Sequence, residues 1–135
     1  LEITKDFEAI GLSLGRAFQF IDDLLDFKNY TLESGKDLKL DLSNNQLTIL
    51  TYTLLEKNED LLKRYTLGEE LLSIFTNDLE EKKFQLAFSE VLSLVKSELH
   101  SARTLINKWQ NLLSLHPSKA NSLLALIDFL ENRTK

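Results

Sequence analysis

Apolar residues recur in steps of three and four along most of this chain, the spacing that keeps one face of an α-helix out of water. From Phe7 to Phe27 the series runs Phe7, Ile10, Leu14, Phe18, Ile21 and Leu25, which predicts one helix. The period is lost from Lys28 to Asn45, where Asn29, Ser34, Gly35, Ser43, Asn44 and Asn45 gather, so an irregular segment is expected there. Loops of that length inside compact domains are usually functional or disordered. Helical spacing resumes over Thr48 to Lys57, with Leu47, Leu50, Leu54 and Leu55 apolar. Two shorter helices are expected at Asp60 to Tyr65 and Glu69 to Asn77, with Gly68 as a C-cap between them. A long helix from Glu80 to Ser114 follows, striped by Phe88, Val91, Val95, Leu99, Ala102, Ile106, Trp109 and Leu113. His116-Pro117 should end it, because proline cannot continue a helix and restricts the residue before it. Ser118 then offers an N-cap for a last helix reaching Arg133. The pattern is that of an all-α bundle.

Composition narrows the picture without changing it. The chain has 135 residues, about one domain, and its four glycines and single proline are too few for an all-β fold with many tight turns. Charge interrupts every apolar stretch, so no membrane span is expected. The net charge of −5 argues against nucleic acid as the main partner, and an anionic substrate would need metal ions or local lysines to receive it. No cysteine is present, which excludes disulfides and thiolate metal sites and fits a reducing, cytoplasmic setting. There is also no methionine and the first residue is Leu1, the expectation being a processed chain or a piece of something longer.

Candidate chemistry sits in one stretch. Asp22, Asp23 and Asp26 interrupt an otherwise apolar run. On a helix, Asp22 and Asp26 stand at i and i+4 and Asp23 three before Asp26, so all three lean over one edge. Their mutual repulsion is relieved by a cation. Hard divalent ions such as Mg²⁺ take oxygen ligands, typically one or two carboxylates plus substrate phosphates. A solvated acidic face accounts for the same acids, and the residues alone leave both readings open. Gly11 and Gly15, four apart, either admit a neighbouring helix closely or are merely tolerated.

Gly11, Leu14, Gly15, Ala17, Phe18, Gln19, Asp22, Asp23, Leu25 and Asp26 together resemble the element G-x-x-L-G-x-A-F-Q-x-x-D-D-x-L-D of the trans-isoprenyl (polyprenyl) diphosphate synthases. Gly35-Lys36, Asp41-Leu42 and Thr48 are similar to that family's following segments, and Leu123, Leu126 and Arg133 to its closing helix. The resemblance implies residues 1–135 as the C-terminal portion of a single all-α prenyltransferase domain of the isoprenoid synthase type. It also implies condensation of isopentenyl diphosphate with an allylic diphosphate by Mg²⁺-assisted ionisation, with release of pyrophosphate. Asp22, Asp23 and Asp26 would be the second aspartate-rich, metal-binding and catalytic motif. Phe18, Gln19, Lys36 and Gln46 would bind substrate. A homodimer of the full-length chain is expected, active only with an N-terminal half that carries the first aspartate-rich motif.

The sequence also departs from the family pattern. Gln46 stands where the family has lysine, Asn45 where it has glycine, Asn44 where it has glutamate, and Leu50 where it has proline. An amide at position 46 can donate hydrogen bonds but supplies no charge, while Lys39, where the family often has glycine, adds one. A non-catalytic regulatory subunit of a heteromeric synthase is therefore the alternative reading. A terpene cyclase also has an acidic motif of this kind, but Phe18-Gln19 before the acids and Gly35-Lys36 after them argue against it. A purely structural helical protein is the remaining option.

Overall fold

A computed structural model describes residues 1–33, 42, 44–77 and 81–135. Among them the regular elements are all helical: α1 (Glu2–Glu33), α2 (Ile49–Glu56), α3 (Glu59–Thr66), α4 (Leu71–Asn77), α5 (Glu81–Lys108), α6 (Gln110–Leu113) and α7 (Pro117–Arg133). The all-α expectation holds, and no helix among the described residues is long and apolar enough to cross a membrane.

Several boundaries differ from those expected, and three of the differences have a clear physical reason. α1 runs on to Glu33 although the apolar period fades after Phe27. No glycine or proline lies between Asp26 and Glu33, and extending an existing helix by one residue needs far less than starting one. The long helix expected over Glu80 to Ser114 breaks at Trp109, whose φ of −99° and ψ of 16° leave the helical region, so α6 is a separate short turn. The last helix is entered from His116, not Ser118, because Pro117 occupies its first position, where the missing N–H is harmless.

The residues group into two compact units, Leu1–Ile21 with Leu92–Lys135, and Asp22–Val91. In the first, Ile10, Leu14, Ala17 and Ile21 of α1, Val95, Leu99, Ala102 and Ile106 of α5, and Ile127 and Leu130 of α7 are buried. Polar contacts fix their register. Lys108 Nζ donates to Glu2 and Asp6 at 2.6 Å, while Arg16 donates to Glu98 at 2.7 and 3.0 Å. These parts of α1 and α5 therefore run antiparallel. Trp109 Nε1 adds a 2.9 Å hydrogen bond to Asp6. Arg103 joins α5 to Asp128 and Glu131 of α7 at 3.0 and 3.2 Å. These pairs are largely solvated, so they select geometry more than they stabilise it.

In the second unit Leu24, Leu50, Leu54, Leu55, Leu61, Leu71, Ile74, Phe75, Phe84, Ala87 and Val91 form the core. Phe75 and Phe84 meet edge to face with centroids 5.9 Å apart, an arrangement favoured by the ring quadrupoles. The α3–α4 turn carries Gly68 at φ +93°, a left-handed conformation that an L side chain adopts at a cost. Arg64 closes this turn with a paired contact to Glu69, at 2.7 and 2.6 Å.

Candidate functional site

Asp22, Asp23 and Asp26 lie on α1 in the second unit, and all three are partly buried. Leu24 between them is 1% exposed and anchors this turn in the core, which leaves the acids along its edge. Asp23 Oδ2 accepts the backbone N–H of Ile49 at 3.1 Å. Ile49 is the first residue of α2, so the carboxylate meets the positive end of that helix and offsets the repulsion from its neighbours.

The start of α2 is built to stay in place. Thr48 is its N-cap, and Thr48 and Thr51 form a reciprocal capping box: Thr51 N–H donates to Thr48 Oγ1 at 3.3 Å and Thr48 N–H to Thr51 Oγ1 at 2.9 Å. Threonine here does what glutamate or glutamine usually does at the third helical position.

The segment entering α2 explains one departure from the family pattern. Asn45, in the place of a glycine, has φ +54°. Asparagine is among the few side chains that tolerate this left-handed region. Its amide is also used: Oδ1 accepts the N–H of Leu71, the first residue of α4, at 3.1 Å. The substitution thus keeps a backbone shape open to glycine and adds a helix cap. Gln46, next to it, is exposed in the short segment before Thr48.

Two further predicted site residues lie in the first unit. Phe18 and Gln19 are exposed on α1, Phe18 by 46%. The apolar face drawn from spacing included Phe18, but the buried positions are Ala17 and Ile21 instead. The Arg133 guanidinium lies over the Phe18 ring at 5.6 Å and near that of Phe129 at 5.9 Å, within the range of cation–π attraction. Spacing could not reveal that contact. Gly11 and Gly15 are exposed, and a Cβ placed on either meets nothing within 4 Å among the described residues, so tolerance, not close approach, accounts for them. Lys36 lies outside the described residues.

Among the described residues no three His, Cys, Asp or Glu side chains converge as a ready metal cage. The acids do supply hard, partly buried oxygen donors on one helical edge. That donor set fits Mg²⁺, which completes its octahedron with water and phosphate oxygens and does not require an all-protein cage.

Comparison with known proteins bears on the family to which the chain belongs. The family model described as polyprenyl synthetase matches residues 2–71, which takes in α1, the acids, the Asn45–Thr48 segment, α2, α3 and the first residue of α4. A curated relative described as a prenyl transferase, from Cyanophora paradoxa, is 33% identical over 124 residues, covering 81% of this chain and 38% of its own length. The chain thus spans well under half of that relative. No solved structure matches it significantly. With more than half of its residues inside the family model, the chain belongs to the polyprenyl synthetase family.

Proposed function

We propose that the protein to which this chain belongs is a trans-prenyltransferase that joins isopentenyl diphosphate to an allylic diphosphate. The observation that carries the reading is the edge of Asp22, Asp23 and Asp26, inside the family match, with Asp23 held on the N-terminus of α2. In this reaction the allylic C–O bond breaks, a carbon–carbon bond forms to the isopentenyl double bond, and pyrophosphate leaves with the proton released. Bound Mg²⁺ would supply electrostatic stabilisation of the departing diphosphate. The chain's own part is to present the oxygens that hold the ions. Asp22, Asp23 and Asp26 would be those ligands, with Asp23 fixed in orientation because one of its oxygens is committed to Ile49. Phe18 offers an exposed ring to a hydrocarbon chain and Gln19 an amide. Lys36 would receive diphosphate as a point charge, and Gln46 would do so through its amide alone.

Gln46 also favours a second reading. An uncharged, exposed amide in place of a lysine suits a subunit that retains the fold and supports a catalytic partner.

One substitution separates the two. In the complete protein, Asp22→Ala should remove several kcal/mol of transition-state stabilisation if it ligates catalytic metal, whereas an ordinary surface acid changes little. The assay is turnover of the complete protein, with thermal melts alongside to exclude unfolding. Full activity in Asp22→Ala would overturn the assignment of the motif. Activity that appears only with a second protein, and that survives Asp22→Ala, would establish the regulatory-subunit reading instead.

A further inference from the structure

A cavity of about 360 Å³ opens in the first unit, between α5 and the end of α7. Its volume is within the range of small-molecule sites. The floor is apolar and rigid: Val95 and Leu99 are each 1% exposed and belong to the unit's core. The rim has the opposite character. Lys96, His100 and Arg103 follow one another at i, i+4 and i+7, so they share one face of α5, and Lys135 closes the cavity from the α7 side.

Charge is not balanced around this rim. Glu131 is the one acidic side chain in the lining, and it is already engaged by Arg103 at 3.2 Å. Among the described residues neither Lys96 nor Lys135 forms an ion pair. In a chain of net charge −5, two ammonium groups without an acidic side-chain partner over an apolar floor are a local reversal. An apolar molecule alone would leave those charges unused, and a small anion alone would leave the floor uncovered. We propose that this cavity binds an amphiphilic anion: a short hydrocarbon chain against Val95 and Leu99, with a carboxylate or phosphate head between Lys96 and Lys135. The proposal does not depend on the prenyl-transfer reading.

The two histidines of the chain make the test specific, since His100 lines the cavity and His116 does not. The imidazole resonances of both are followed by NMR at fixed pH while decanoate, geranyl phosphate, decanol or inorganic phosphate is added. Saturable movement of His100 alone, with decanoate or with geranyl phosphate, supports the site, and the tighter of the two identifies the head group. The double variant Lys96→Gln/Lys135→Gln removes two exposed charges and should weaken that binding about tenfold. The proposal is overturned if His100 stays still, if His100 and His116 move together, or if decanol binds as well as decanoate. It is equally overturned if inorganic phosphate alone reproduces the shift, or if the double variant, shown folded by circular dichroism, binds unchanged.

Discussion

Asp23 and Ile49 are joined by a hydrogen bond of 3.1 Å, carboxylate oxygen to backbone amide, across twenty-six positions of sequence. The contact gives one of the acids proposed as metal ligands a structural task. It satisfies one of the orphan donors at the start of α2, and the end of that helix in turn favours the charged carboxylate. Asp23 therefore enters any catalytic arrangement with one oxygen already assigned.

Substitution of Asp23 should show both tasks. Asp23→Ala leaves the Ile49 amide without its acceptor and should cost about 1 kcal/mol of stability. Asp23→Asn keeps an acceptor oxygen and should cost less than half of that, while still removing the charge a metal ion needs. Urea midpoints measured on the two variants check the order. Equal midpoints for both and for the parent would mean that the contact contributes nothing.

Asn45 permits a similar separation of backbone from side chain. Asn45→Gly retains access to φ +54° but loses the cap on Leu71, and should cost about 1 kcal/mol. Asn45→Ala loses the cap and also strains the backbone, adding roughly 1 kcal/mol more. Denaturant unfolding that ranks alanine above glycine in stability would contradict this account.

Much of the fold was legible in the sequence because it rests on the helical period. The stripe Val91, Val95, Leu99, Ala102 and Ile106 is 0–2% exposed, as its spacing required. Thr48 was readable as the start of a helix, since its hydroxyl can serve an exposed donor. Two of the errors came where the chain makes a tertiary contact that no local pattern announces. Nothing near Trp109 in sequence breaks a helix, yet its indole is bonded to Asp6, more than a hundred residues away. Phe18 fits the apolar series, yet it lies outside the core with Arg133 over its ring. Of the candidate site, register placed the three acids on one helical edge and left a solvated face equally open, whereas the Ile49 amide that holds Asp23 has no side-chain signature at all.

Acid should weaken the α3–α4 turn in a defined window. The Arg64 guanidinium, bonded to both carboxylate oxygens, and secondarily the Ser73 hydroxyl, pull the Glu69 carboxyl down from 4.5 to about 2, although burial acts in the opposite sense. The folded value is the lower one, so the contribution is complete above about pH 4.5 and is lost as pH falls through about 2. Glu69→Gln lacks this contribution from the outset. Across that window the parent protein should lose stability with a steeper slope than Glu69→Gln, as read from urea midpoints at successive pH values. Parallel slopes would show that the pair has no net effect.

The single tryptophan allows the same reasoning to be tested in the first unit. Asp6 is held below its ordinary 3.8 first by the Lys108 ammonium and next by the Trp109 indole N–H, against a smaller contrary effect of burial. Because the folded value is depressed, the contact is fully formed above 3.8 and dissolves as pH falls through that lower value. Protonation of Asp6 changes the charge beside the indole, so tryptophan emission should show an acid step below 3.8. Lys108→Gln removes the larger cause and should move the step up toward 3.8, with the indole hydrogen bond still made. Trp109→Phe cannot be followed by emission, but loss of one partly buried hydrogen bond should lower its urea-derived stability by about 1 kcal/mol. A step already at or above 3.8 in the parent protein, or one that Lys108→Gln leaves in place, would mean that Asp6 is not held by these two groups. The antiparallel register of α1 and α5 would then rest on Arg16 and Glu98 and on the buried stripes alone.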